Sequence, residues 1–191
     1  EGVFPFNEVE EAELKETYKN GEKCGEIKKS NIIQYYVHNP LLLDGRKFDF
    51  RMYMLVASTN PLIAYYHDGF LRVSLIGYDK NSDDKKVLLT NLVLSKQIYD
   101  DVKNNGTLFE GKDEEELKLA QQWSFDRLQT YLLHEGIIQD PNWLDNYLRP
   151  EFKKAMIHLI RSVSHNYFVT SSVYELYGVD FMLDEDLKLW F

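Results

Sequence analysis

The chain has 191 residues, 44% of them hydrophobic and 14% aromatic, and a net charge of −9. That apolar content supports one packed domain and excludes a disordered segment. No apolar run reaches membrane-spanning length, so no membrane insertion is expected, and the acidic balance argues against general nucleic-acid binding, which leaves a basic footprint.

Glu8 to Lys19 has helix-forming composition, and Asn20-Gly21 is a stop signal. The single cysteine, Cys24, excludes an internal disulfide and suits a reducing compartment. Asn31 to Val37 reads as a strand ended by His38-Asn39-Pro40. After an Asp44-Gly45 turn, a long strand runs from Lys47 to about Ser58. Asn60-Pro61 turns the chain, Leu62 to His67 returns, and Asp68-Gly69 is a short hairpin signal before Phe70 to Ile76. Val87 to Leu94 is apolar apart from Thr90-Asn91, and Ser95 caps a short helix to Lys103.

Asp113 to His134 is helical, with Leu117, Ala120, Ser124, Leu128, Tyr131 and Leu132 along one face. Pro150 opens a second helix, where Phe152, Ala155, Met156, Leu159, Ile160 and Val163 follow core-facing spacing. Tyr174 to Leu183 and Leu187 to Phe191 are strands around an Asp184-Glu185-Asp186 turn. The order is α+β: an antiparallel meander, then helices, then a final hairpin. The chain opens on Glu1-Gly2-Val3 and stops at Leu189-Trp190-Phe191 inside a strand pattern, which reads as the ordered part of a longer protein.

Chemistry concentrates in Lys47-Phe48-Asp49-Phe50-Arg51. Alternation puts Lys47, Asp49 and Arg51 on one face of the strand and both phenylalanines on the other. Such a face is either the solvated side of an edge strand or one that meets a polyanion with its metal. Arg72 on the neighbouring strand adds a cation suited to bidentate contacts. Asp180, among apolar neighbours in Tyr177 to Leu183, needs a partner: Mg²⁺ shared with phosphate oxygens, or a buried salt bridge to Arg51 or Arg72. Thr90-Asn91 reads as a strand irregularity or a local cap, or as a further polar contribution to the same site. Gln34 to Val37 offers backbone groups to a base edge. No Walker-type loop, zinc spacing, G-x-S-x-G elbow or protein-kinase signature is present.

Together and in this order, Ile33 to Leu43, Gly45 to Arg51, Gly69 to Arg72, Leu89-Thr90-Asn91 and Tyr174 to Trp190 resemble the tubulin–tyrosine ligase-like family of ATP-grasp amino-acid ligases. The similarity runs from about residue 31 to the end. The resemblance implies an α+β, ATP-grasp-like fold with an antiparallel or mixed sheet and packed helices, as a fragment of a larger catalytic domain. It divides the chain into a helical lead-in over 1–30 and the central and C-terminal portion of that domain over 31–191.

The implied activity is ATP-dependent ligation of an amino acid, glycine or glutamate, to tubulin through an acyl phosphate. Gln34, Tyr35, Tyr36 and Val37 would line the adenine side through backbone groups, and Lys47, Asp49, Thr90 and Asn91 would contact ATP. Arg51 would support the phosphates or the acyl phosphate, Arg72 would hold the carboxylate of the added amino acid, and Asp180 would bind Mg²⁺. Implied partners are tubulin and microtubules, in the cytoplasm and cytoskeleton, at a cilium, axoneme or basal body.

The chain departs from the family pattern at Tyr35, where lysine is usual, at Leu88, where histidine is common, and at Leu92-Val93. The last two replace a Tyr-Ser pair that helps hold glutamate in glutamylating members. A leucine–valine pair makes no such contacts, which points toward glycine or another amino acid. The alternative is a catalytically silent relative that serves as a structural component of a microtubule or axonemal assembly.

Overall fold

The computed structural model describes residues 34–82, 84–90, 119–167 and 173–191. The helices expected at Glu8–Lys19 and Ser95–Lys103, the 1–30 lead-in and Leu92-Val93 lie outside the described residues.

The described part is a mixed α and β arrangement built on an antiparallel sheet. A two-residue strand β1 (Leu42–Leu43) turns through Asp44 and Gly45, both at positive φ, into the long β2 (Arg46–Thr59). β3 (Leu62–Val73) returns antiparallel from the Asn60-Pro61 turn. A short helix α1 (Lys85–Leu88) is capped by the Asp84 side chain, which accepts from the Lys86 N–H. β4 (Gln122–Trp123) leads into α2 (Phe125–His134), capped by Ser124. A π-helical turn (Leu144–Leu148) runs into α3 (Arg149–Val163), and β5 (Glu175–Leu183) and β6 (Leu189–Trp190) close the chain. The sheet order is β4-β3-β2-β5-β6, with β1 paired to β2.

The period-two reading of β2 holds. Phe48, Phe50, Met52, Met54 and Val56 are all buried on one face, together with Leu71 and Val73 of β3 and Val179, Phe181 and Leu183 of β5. Against them pack Phe125, Leu128 and Leu132 of α2 and Phe152, Met156 and Ile160 of α3. Phe152 is central: its ring meets Phe50 at 5.1 Å, Phe181 at 5.0 Å and Phe125 at 6.0 Å, spacings at which edge-on aromatic pairs attract. This helical layer backs the sheet and leaves its other face to the charged residues.

Several expectations change. Gln34 to Val37 is irregular rather than strand. Asp68-Gly69 is no hairpin turn: β3 runs through it as one strand, and the pair forms a bulge opposite Met52. The long helix ending at His134 is broken in the described residues, because residues 122–123 pair with β3 and Ser124 turns to cap a new helix. A serine counted on a helical face is thus an N-cap, where its hydroxyl satisfies a free N–H. Val163, at the end of α3, is exposed rather than core, and the last strand is two residues long.

Candidate functional site

Strand register assembles the charged face. On β2, Asp49 lies opposite Arg72 of β3, and Arg51 lies opposite Asp180 of β5. Lys47, Asp49, Arg51, Arg72 and Asp180 therefore share one face of three adjacent strands, three cations with two carboxylates.

Asp49 and Arg72 form its buried centre. Arg72 donates from Nε to Asp49 Oδ1 at 2.6 Å and from Nη2 to Oδ2 at 2.8 Å, a two-point fork. The Thr90 hydroxyl donates to Asp49 Oδ2. Burial pushes the Asp49 carboxyl above the usual carboxylate range, while Arg72 and Thr90 pull against it. Burial also works against the Arg72 guanidinium, but the two carboxylates outweigh it and raise its pKa.

Asp180 sits at the outer edge, its side chain about half exposed at 51%. The sequence suggested a buried carboxylate with either a metal or an arginine partner; the strand is right, but the carboxylate is open to solvent and shared by both arginines. Arg72 Nη2 lies 3.0 Å from Asp180 Oδ2. Arg51 donates from Nη2 to Oδ2 at 3.3 Å, and its Nε lies 2.8 Å from Oδ1 as an ion pair without the direction of a hydrogen bond.

Lys47 is buried beside this centre and reaches away from it. Its Nζ donates to the Leu88 carbonyl at 2.7 Å and to the Tyr36 hydroxyl at 3.0 Å, and it stands 4.3 Å from the centre of the Tyr36 ring. The Tyr36 hydroxyl donates in turn to Leu88 O at 2.9 Å. Burial lowers the lysine pKa from 10.5 to about 8, with Asp49 pulling the other way. Burial pushes the Tyr36 hydroxyl far above the ordinary tyrosine range.

The expected site residues therefore divide. Lys47, Asp49, Arg51, Arg72, Thr90 and Asp180 come together. Tyr36 joins them through its hydroxyl and ring, a contact without local sequence signal because 11 residues separate it from Lys47. Gln34 and Tyr35 are exposed, Val37 is half-buried, and Asn91 lies outside the described residues. The Leu88 carbonyl was not foreseen; it belongs to the end of a four-residue helix that no periodicity announces.

A face of this kind can meet an anion with several oxygens, since arginine forks and an ammonium group satisfy them at fixed spacing. Among the described residues no group of three or more His, Cys, Asp or Glu side chains is arranged to hold a metal ion by itself. A metal at Asp180 would therefore draw its other ligands from a bound molecule, from water or from residues outside the described ones.

The chain is 30% identical over 168 residues to a protein polyglycylase of Macaca fascicularis, covering 84% of this chain and 24% of that protein. It is 29% identical over 168 residues to an inactive polyglycylase of Homo sapiens, covering 84% of this chain and 22% of the relative. A tubulin polyglutamylase of Mus musculus is 31% identical over 169 residues, 86% of this chain and 12% of that protein. The chain thus spans about a quarter, or less, of the length of these relatives. The model of the tubulin-tyrosine ligase family matches residues 9–191. With a match over nearly the whole sequence and the charged strands inside it, the chain belongs to the tubulin-tyrosine ligase family.

Proposed function

We propose that this chain carries the nucleotide side of an ATP-dependent ligase that joins an amino acid to tubulin, within an ATP-grasp-like catalytic domain. The observation that supports it most is the convergence of Lys47, Arg51 and Arg72 with a half-exposed Asp180 on one sheet face. The donor set suits the ligand: arginine forks and an ammonium would take phosphate oxygens, and the open Asp180 carboxylate would be one ligand for a Mg²⁺ that comes with them.

In this reading Asp180 holds the metal and Lys47 and Arg51 take phosphate oxygens, neutralising charge that develops on the transferred group. Bound Mg²⁺ would supply further charge neutralisation at the phosphates. Gln34 to Val37 lies on the adenine side, and Asp49, Thr90 and Asn91 complete the nucleotide contacts. A carboxylate oxygen of the acceptor attacks the γ-phosphorus and ADP leaves. The amine of the added amino acid then attacks the acyl carbon, phosphate leaves, and the amine loses a proton. Arg72 reaches the carboxylate of that amino acid from the side of Nη2, which now also meets Asp180, while Asp49 holds Nε.

A second reading is a silent relative serving as a structural part of a microtubule or axonemal assembly. It is favoured by the pairing of Arg51 and Arg72 with Asp180, which engages these groups with one another, and by a relative whose name calls it inactive. The test uses the full-length protein with Mg²⁺-ATP, tubulin and labelled glycine or glutamate. Incorporation that is lost in Lys47→Ala and in Asp180→Ala supports the ligase. Absence of both nucleotide binding and incorporation by the wild type overturns it and leaves the structural reading.

A further inference from the structure

The bulge in β3 has a consequence for the charged face. Tyr53 pairs with His67, but Arg51 pairs with Phe70, so two residues, Asp68 and Gly69, stand against Met52 alone. One extra residue switches which side chains of β3 face which way. Just before the bulge the even position meets the core: Tyr66 packs on it while Tyr65 is exposed. After the bulge the odd positions do: Leu71 and Val73 are buried, and Arg72 faces Asp49. Without the bulge the same strand would place Arg72 opposite Phe48, on the core face, and Leu71 against Asp49.

Two features hold the bulge. Gly69 lies so close to β2 that a Cβ built there would stand 1.6 Å from the Arg51 carbonyl oxygen, so only glycine fits without moving the Arg51 backbone. Asp68 is gripped from the helical layer. Arg149, the first residue of α3, donates from Nε at 2.8 Å and places Nη2 at 2.7 Å from the same carboxylate oxygen, Oδ2. The Tyr66 hydroxyl donates to Oδ1. The outer Nη1 of Arg149 is tied to Asp145 at 2.7 Å, within its own helical segment.

We propose that Asp68 and Arg149 are positioning residues for the charged face: their ion pair fixes the bulge that delivers Arg72 to Asp49 and sets the Arg51 backbone. Neither touches a ligand on that face; they act on it from behind the sheet. The functional consequence rests on the reading that the face binds nucleotide.

The experiment uses the full-length protein with Asp68→Asn, Arg149→Gln and, as control, Asp145→Asn, which removes only the charge of the outer partner. The milder Arg149→Lys serves if the first two do not fold. Hydrogen exchange without nucleotide is followed in peptides covering 66–73, and the Kd for Mg²⁺-ATP is measured well below the unfolding temperature. Exchange in that segment should quicken by about tenfold in Asp68→Asn and Arg149→Gln, and the Kd should rise by about tenfold, the effect of a weakly displaced contact set. Asp145→Asn should change neither. A lower unfolding temperature with unchanged exchange at 66–73, or with unchanged Kd, overturns the inference. If the wild type binds no Mg²⁺-ATP, the proposed function fails instead, and the exchange measurement alone decides the clamp.

Discussion

Lys47 offers a quantitative test through pH. Its pKa falls from 10.5 to about 8 because burial disfavours the ammonium more than Asp49 favours it. The drop corresponds to about 3 kcal/mol against the charged form in the folded protein. The unfolded chain therefore keeps a proton that the folded chain has released between about pH 8 and 10.5, so stability rises with pH across that window. The penalty is fully present below about pH 8 and is relieved above it, with a limiting slope of about 1.4 kcal/mol per pH unit. Among the groups facing the ammonium, Tyr36 stays protonated throughout, since burial raises its hydroxyl well beyond the window; Asp49 stays bound to Arg72, and the Tyr78 ring stands 5.8 Å away.

Ligand binding should move the other way. If bound phosphates hold Lys47 protonated, the Kd for Mg²⁺-ATP rises by about eightfold from pH 7.5 to 9, because the free protein must take up one proton to bind. The assay is denaturant unfolding and nucleotide titration at pH 7.5, 8, 8.5 and 9, wild type beside Lys47→Arg, whose side chain does not titrate there. A wild type whose stability and nucleotide affinity both run parallel to Lys47→Arg across this range would refute the burial argument.

Two further outcomes test the packing. Asp49→Asn removes one partner of a buried ion pair and should destabilise by about 3–5 kcal/mol in chemical unfolding, whereas Asp180→Asn, half exposed, should change stability by less than about 1 kcal/mol. Phe152→Ala empties the place where Phe50, Phe125 and Phe181 meet and should cost about 3–5 kcal/mol, read as a shift of the unfolding midpoint with unchanged slope.

Much of this face was legible because its rule is local. Alternation in Lys47 to Arg51 depends only on the strand period, so both the buried phenylalanines and the charged side followed from it. The Asp180 ion pair with Arg51 or Arg72 could be named from charge as one of two alternatives, although the expected burial does not hold and only the strand register and side-chain contacts show that both arginines share it. Asp68-Gly69 misled for a physical reason. The dipeptide marks a turn because glycine tolerates turn backbones, but here glycine is required by close approach to Arg51, which the sequence does not record. Ser124 was lost inside a long helical periodicity, since the pairing of Gln122 with Arg72 that breaks the helix is a tertiary contact. The Tyr36 and Leu88 contacts to Lys47 are likewise non-local, and Arg149 gave no hint of its reach to Asp68, 81 residues away.

The two carboxylates on this face cannot be equivalent. Asp49 is 8% exposed and takes both prongs of the Arg72 fork, so separating them would leave an unpaired charge in the interior. Asp180 is half exposed, and water can replace its arginine partners at small cost. In the proposed function an arriving polyphosphate would compete with Asp180 for Arg51 and for Nη2 of Arg72, and a cation arriving with it would give Asp180 a new partner at the same moment. Such an exchange would keep every charge paired while the Asp49–Arg72 fork stayed in place as the fixed reference. Lys47 differs again, because its hydrogen-bond partners, Leu88 O and the Tyr36 hydroxyl, are neutral, and only Asp49, which is itself bound by Arg72, favours its charge. An anion that reached Lys47 would give that charge a direct partner, so of the three cations Lys47 would gain the most from a ligand, while the two arginines would exchange one carboxylate for another anion.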